Sequence, residues 1–417
     1  MRKKIIVRGP AMTRSGYGEQ TRFALSALRT YEDIFDIYLS PTTWGQTGWI
    51  QEESEEHRWL DHLTHKTNHF LSNGGSFDMS LQVTIPNEWE NLAPVNIGFT
   101  AGIEATKVAP AWLEKGNSMD RIVVVSKHSK DVYDSTVYYA KDPNTNQAVE
   151  LKSQTLIKSV NYCVRFTEPS DIELDLDYDF NFVSVAQWGP RKNVENVVRG
   201  FVEEFRDEEV GLILKTSIAK NCLMDRENTK TQLRSIMSSY PDHKCKVYLL
   251  HGSMTEGEMA SLYLHPKVKS LALISHGEGF GLPIFEAACN GLPVITIDWS
   301  GQKDFLYAPT KGKSKNKPKM RPHFSKVEYS LDQIPDHAVW EGVLQKDSMW
   351  AYPDQNSYKK QLRDVYKNYD RKLSQAKKLK KYNDIEFAPE KKYKEFADFV
   401  LGSDVSKIEE DKVLVFG

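Results

Sequence analysis

The sequence predicts an α/β protein of two domains, each built on a parallel, doubly wound sheet. Three observations predict it. The chain has 417 residues, more than one hydrophobic core ordinarily serves. Its C-terminal half alternates short β-branched runs with helical periodicity. Its N-terminal half repeats that alternation less regularly.

In the N-terminal half "KKIIVRGP" (3–10) reads as a strand, "GEQTRFALSALRT" (18–30) as a helix and "IFDIYLS" (34–40) as a strand. "VNIGFT" (95–100) and "RIVVVS" (121–126) are strands flanking the helical "PAWLEKGN" (110–117). Residues 160–180 have weak periodicity and many acids, which marks an interdomain linker. Domains are therefore expected at 1–170 and 171–385.

The C-terminal half is more legible. "FNFVSVA" (180–186) is a buried strand, and "NVENVVRGFVEEF" (193–205) places Val194, Val197, Val198, Phe201, Val202 and Phe205 at helical spacing behind an Asn193 cap. Strands at 210–217, 246–252, 270–276 and 292–297 then alternate with helices at 226–240, 255–264 and 283–291. Thr255 and Glu258 form a capping box. Pro283 opens its helix and Gly291 closes it. Two charged amphipathic helices follow, at 357–381 and 389–402. "KGKSKNKPKMR" (311–321) has six basic residues in eleven and no apolar periodicity, so a mobile loop is expected. It reads either as a solvated linker or as a contact to a polyanion, DNA or an anionic membrane. No repeat of 20–50 residues appears.

Charge excludes little but bounds the partner. With 55 basic against 57 acidic residues, net −2, nothing global demands nucleic acid or a membrane. Cys163, Cys222, Cys245 and Cys289 form no CxxC pair and suit a reducing cytosol. The apolar runs are too short for a membrane span or a signal peptide, so a soluble, cytoplasmic protein is expected.

The chemistry concentrates in "GEGFGLPIFEAACNGLPVI" (277–295). Ligands of open parallel sheets sit beyond the carboxyl ends of strands. His276, Gly277, Glu278 and Gly279 fall at such an end. Glycines there let backbone amides approach a ligand, and the helix beginning near Pro283 turns its positive end toward a phosphate. Glu286 sits about one turn into that helix and Glu278 in the turn before it. Two carboxylates flanking a phosphate site suit the vicinal hydroxyls of a ribose or hexose.

The stretch resembles the E-x7-E signature of the retaining, family-four group of GT-B glycosyltransferases, which use nucleotide-sugar donors. "QWGPRKNVENVVRGF" (187–201) resembles that family's basic segment, residues 103–133 its last N-terminal helix–strand–helix unit, and 349–366 the start of its tail. The resemblance implies two Rossmann-like domains facing a cleft, with 386–417 crossing back to the first. It assigns Glu286 to the donor ribose and Glu278 to the transferred sugar. It gives the diphosphate to the amides of Gly279, Phe280, Gly281 and Leu282. Arg191 and Lys192 would neutralise the departing diphosphate, with Lys215 a third contact. Gly16 and Gly18 of "SGYGEQ" (15–20) resemble the family's glycine turn, with Tyr17 beside the acceptor. No metal, cofactor or protein nucleophile is implied; the donor would be UDP- or GDP-linked.

Two departures stand out. Gln187 and Trp188 occupy the region where relatives carry a glycine–arginine pair. A first-domain histidine of the family is replaced after "VNIGFT" by Ala101-Gly102-Ile103-Glu104, which leaves Glu104 and His128 as substitutes. Trp44 and Trp49 either stack on an acceptor or pack in the core. The acceptor expected is a glycan or lipid-linked glycan; the alternatives are modified bases of DNA, a GT-B nucleotide-sugar epimerase, or a silent binding protein. A dehydrogenase is excluded because GxGxxG is incomplete in "SGYGEQ".

Overall fold

The computed structural model describes residues 2–51, 53–141, 148–310 and 318–402. The first sheet is built from β1 (Lys3–Gly9), β2 (Phe35–Pro41), β3 (Met79–Val83), β4 (Val95–Thr100), β5 (Arg121–Val124) and, after a β6/β7 hairpin (Val137–Lys141 and Ala148–Lys152), β8 (Leu156–Ser159). Its order is β2-β1-β3-β4-β5-β8, all parallel. Helices α1 (Gly16–Arg29), α2 (Glu55–Ser72), α3 (Pro110–Asn117) and α4 (Lys127–Ser135) supply connections. Burial explains the composition: Ile5, Val7, Leu81, Val83, Ile97, Phe99, Val123 and Val124 are each fully buried under flanking layers.

The second sheet runs β9 (Asn181–Val185), β10 (Gly211–Lys215), β11 (Lys246–Leu250), β12 (Val268–Ala272) and β13 (Val294–Ile297). Between them lie α5 (Val194–Phe205), α6 (Leu223–Met237), α7 (Glu256–Leu264) and α8 (Leu282–Cys289). A hairpin of β14 (Tyr307–Thr310) and β15 (Lys319–Pro322) leads to the edge strand β16 (Ser325–Val327). The order β11-β10-β9-β12-β13-β16 reverses direction between β9 and β12, a topological switch point. A last hairpin, β17 (Tyr329–Gln333) and β18 (Met349–Pro353), precedes α9 (Gln355–Lys367), α10 (Tyr369–Glu386) and α11 (Pro389–Leu401). α11 packs against α1 of the first sheet: Phe396 meets Phe23 at 5.5 Å and Phe99 at 5.1 Å, and Arg121 donates to the Val400 carbonyl at 2.8 Å.

Three expectations need correction. Asn193 does not cap α5 with its side chain; it adopts a left-handed φ of 56°, and its amide donates to Ile274 O at 3.0 Å. A one-turn 3-10 helix at Pro190–Lys192 runs straight into α5, and Asn193 is the joint between them. Residues 319–321 belong to β15 rather than to a loop, because their backbone pairs antiparallel with β14; 311–317 lie outside the described residues. The three hairpins and α2 were not anticipated: the hairpins are antiparallel additions to a parallel plan, and α2 has only Leu60, Leu63 and Thr67 buried. Among the described residues no helix is long and apolar enough to cross a membrane.

Candidate active site

The switch point collects the predicted residues. The turn after β9 carries Arg191 and Lys192, and the turn after β12 carries Glu278. The His276 amide donates to Arg191 O at 2.8 Å, which zips the two turns together. Glu278 is 4% exposed. Lys192 Nζ lies 2.7 Å from both of its oxygens, and Arg191 Nη1 lies 3.4 Å from Oε2. Burial alone pushes the Glu278 carboxyl up, but Lys192 and Arg191 outweigh it and hold the group below the ordinary carboxylate range. Burial pulls the Lys192 ammonium down, with Glu278 opposing.

Glu104 joins this cluster from the first sheet's side of the cleft. Its Oε1 lies 3.1 Å from Arg191 Nη2. Two cations and two carboxylates thus form one balanced quartet across the domain boundary. The backbones approach closely here: a Cβ on Gly277 would stand 2.7 Å from Glu104 O, and one on Gly279 would stand 2.5 Å from Ala101 O.

Beside the quartet the chain enters α8. Gly281, at φ 94°, takes a left-handed conformation that L side chains rarely adopt, and it turns the backbone into the helix. Among the described residues the amides of Gly279, Phe280, Gly281 and Leu282 donate to no other protein group. Those of Gly281 and Leu282 are unsatisfied donors of the helix start, and Gly279 and Phe280 lie in the turn before it. The Phe280 side chain anchors the turn in an aromatic cluster with Tyr162, Phe285 and Phe305 at 4.9–5.1 Å.

Glu286 stands apart from Glu278. It remains open to solvent in the cleft, and Tyr263 Oη donates to its Oε2 at 3.0 Å. Desolvation by the protein around it, and then Glu19, push its carboxyl up to about 7. Glu19 itself is held down at about 2, because Arg165 and Arg22 outweigh its desolvation. Arg165 bridges Glu19 Oε2 at 2.6 Å and Glu256 Oε1 at 2.7 Å, so it ties α1 to α7.

The remaining candidates divide. Gly18 is required by space, since a Cβ would meet Thr13 O at 2.1 Å, whereas Gly16 faces nothing within 4 Å. Ser15 caps α1 by accepting from the Gly18 amide at 2.9 Å. Tyr17 is buried, its hydroxyl 2.8 Å from Thr100 Oγ1, and its ring lies 4.1 Å from Trp44. Trp49 is exposed. Lys215 Nζ donates to Gly252 O, and burial lowers its pKa. His128 is lowered to about 4 by burial and packs edge-on to Trp299. Among the described residues, none of Tyr17, Trp44, Trp49, Lys215 and His128 touches the quartet through a hydrogen bond or ion pair.

Sequence reasoning missed three supports. Ser300, at the unusual φ of 68°, accepts from the Glu278 amide at 2.9 Å. The His276 ring stacks on Trp350 at 4.6 Å and an interplanar angle of 9°, its Nδ1 2.6 Å from Ala351 O. Asp225 holds the turn after β10 by accepting from the amides of Ile218, Ala219 and Lys220. Only the acid-to-helix spacing of Asp225 had a sequence signal, as an acidic residue in the first turn of α6.

A scan against protein-family models finds no match, and a search of curated proteins finds none either. Solved structures do match over the whole chain. A sucrose-phosphate synthase from Thermosynechococcus elongatus superposes with TM-score 0.62 at 11% identity, covering 97% of this chain and 100% of that one. HepE from Anabaena, in complex with UDP and glucose, superposes with TM-score 0.61 at 11% identity, covering 96% and 99%. OtsA in its apo form superposes with TM-score 0.56 at 8% identity, covering 95% and 99%. The fold is GT-B: two Rossmann-like domains with a cleft between them.

Proposed function

We propose that this GT-B chain moves a glycosyl unit from a nucleoside-diphosphate sugar to an acceptor hydroxyl, with retention of configuration. One observation carries the reading. At the switch point, Arg191, Lys192 and Glu278 meet a row of undonated amides at 279–282, with a second carboxylate one turn further on. A diphosphate fits the amides and the two cations; hydroxyl-bearing groups fit the carboxylates on either side. The HepE structure, which contains UDP and glucose, has the same fold and supports the donor class.

In this reading the donor diphosphate competes with Glu104 and Glu278 for Arg191 and Lys192. The bond between the anomeric carbon and the diphosphate oxygen breaks, and its electron pair leaves with the diphosphate. Arg191 and Lys192 stabilise that developing charge in a water-poor pocket, where such contacts are strongest. The acceptor oxygen bonds to the anomeric carbon on the same face and its proton passes to the departing phosphate oxygen. Glu278 orients the sugar hydroxyls and Glu286 the ribose. A glycan or lipid-linked glycan is the acceptor proposed.

A thermal-shift panel of nucleotide sugars and nucleoside diphosphates tests this, on the native chain and on Glu286→Ala. A ligand at 100 times its Kd stabilises the folded state by about 2.7 kcal/mol. We expect one base class to shift the native chain and Glu286→Ala to lose the response. No shift with any nucleotide sugar overturns the proposal.

A further inference from the structure

The cleft leaves the basic stretch of the second domain unused. We propose that the groove between α10 and the β14/β15 hairpin binds the phosphodiester backbone of a nucleic acid, independently of the donor site. Two adjoining hollows form it. One is lined by Arg321 and His323 of the hairpin side and by Arg371 and Lys378 of α10. The other is lined by Lys377, Lys378 and Lys381, with Asp370 its acidic member.

The charges there are available. Arg321, Lys377, Lys378 and Lys381 are exposed, and among the described residues none has a carboxylate within ion-pair reach. By contrast Arg371, Lys372 and Lys380 on the same helix are paired, the first two with Asp364 and the third with Asp384. The free cations therefore line the two adjoining hollows, Arg321 and Lys378 the one beside the hairpin and Lys377 and Lys381 the one along α10, which share Lys378. They do so in a chain whose net charge is −2, so the patch is not a by-product of a basic protein.

Dimensions select a polymer. Arg371 to Lys381 spans ten residues of helix, about 15 Å. Duplex DNA presents a charge every ~1.7 Å of its axis, so that length meets several phosphates where a lone phosphate meets one. A lipid surface fits less well. A helix lying on a membrane exposes a broad apolar face. α10 instead buries Ala376 and Leu379 and exposes one large apolar residue, Ile385. Residues 311–317 add four lysines in sequence but lie outside the described residues and are not part of the site.

The test is fluorescence anisotropy with labelled single- and double-stranded oligonucleotides, on the full chain, between 50 and 200 mM salt. Four cations on a duplex give a log–log salt slope of about −3.6, hence roughly 150-fold weaker binding over that range. Lys378→Glu with Lys381→Glu reduces the slope by about 2 or more. Lys3→Glu with Lys360→Glu, the same charge change elsewhere, leaves it unaltered. Lys378→Gln with Lys381→Gln serves if the glutamate pair fails to fold. The nucleotide-sugar thermal shift persists in every variant, which separates loss of this surface from failure of the donor reading. Absence of binding at 50 mM salt overturns the proposal. So does an equal effect of both variant pairs, or binding to phosphatidylserine vesicles without binding to oligonucleotides.

Discussion

Lys192→Met tests the heart of the site. The substitution keeps the stem length and removes the charge. It leaves Glu278, 4% exposed, with Arg191 at 3.4 Å as its nearer cation and without the two 2.7 Å contacts. Removing one partner of a buried ion pair destabilises by about 3–5 kcal/mol, because an uncompensated charge stays behind. Arg191 remains, so the low end, about 3 kcal/mol, is expected. For a domain of this size that is a fall in Tm of roughly 6–12 °C. Adding Glu278→Leu removes the orphan, so the double variant should recover about 2 kcal/mol of the loss, a coupling that distant sites do not show. The acid side has a defined sign. Glu278 is held below its ordinary value, so its contribution is present above the ordinary carboxylate range and is lost as pH falls through the folded value. The deficit of Lys192→Met therefore narrows in acid. Urea unfolding of the native chain, Lys192→Met, Glu278→Leu and the double variant at pH 7.5 and pH 4 measures this. If Lys192→Met stays within about 1 kcal/mol of the native chain, or the two changes simply add, the pair is not desolvated and the reasoning fails.

Gly18→Ala should destabilise clearly while Gly16→Ala is neutral, because only the first Cβ meets backbone, 2.1 Å from Thr13 O; thermal melts of the two compare them directly. Affinity for a nucleotide sugar should rise between pH 6 and pH 8. Glu286 is pushed up to about 7, and only its ionised form accepts two ribose hydroxyls. Calorimetric titration across that range should show the rise in the native chain and a flat profile in Glu286→Gln.

The second sheet was readable because its strands are short, apolar and separated by periodic helices; the Thr255/Glu258 box and Gly291 at φ 74° behave as the sequence suggests. Arg191, Lys192 and Glu278 were findable because motif spacing places them at strand ends. What the sequence hid was contact across the domain boundary. The Arg191–Glu104 pair joins residues 87 positions apart, and no local pattern announces it. Asn193 misled because a side chain that suits a cap also suits a left-handed joint, and the residues before it decide which. The antiparallel hairpins were hidden by exposure: β7 has almost no buried face, so the alternation that betrays a strand is missing.

The chain passes between the domains twice, and the two passages touch. The Val164 amide donates to Phe387 O at 2.8 Å, so the linker and the α10–α11 junction run side by side. Phe387 is pinned against Phe285 of α8 at 5.4 Å. Two adjacent spans restrict the relative placement of the domains more than one span would. The domains also meet through polar contacts elsewhere: Glu104 with Arg191, Lys107 with Asp347, and Thr106 N with Met349 O. The exposed pair, Lys107 with Asp347, contributes little in water, whereas Arg191 belongs to the buried quartet. The two domains are thus joined by paired covalent spans at one place and by a buried charge cluster at another, over apolar cores that both domains share.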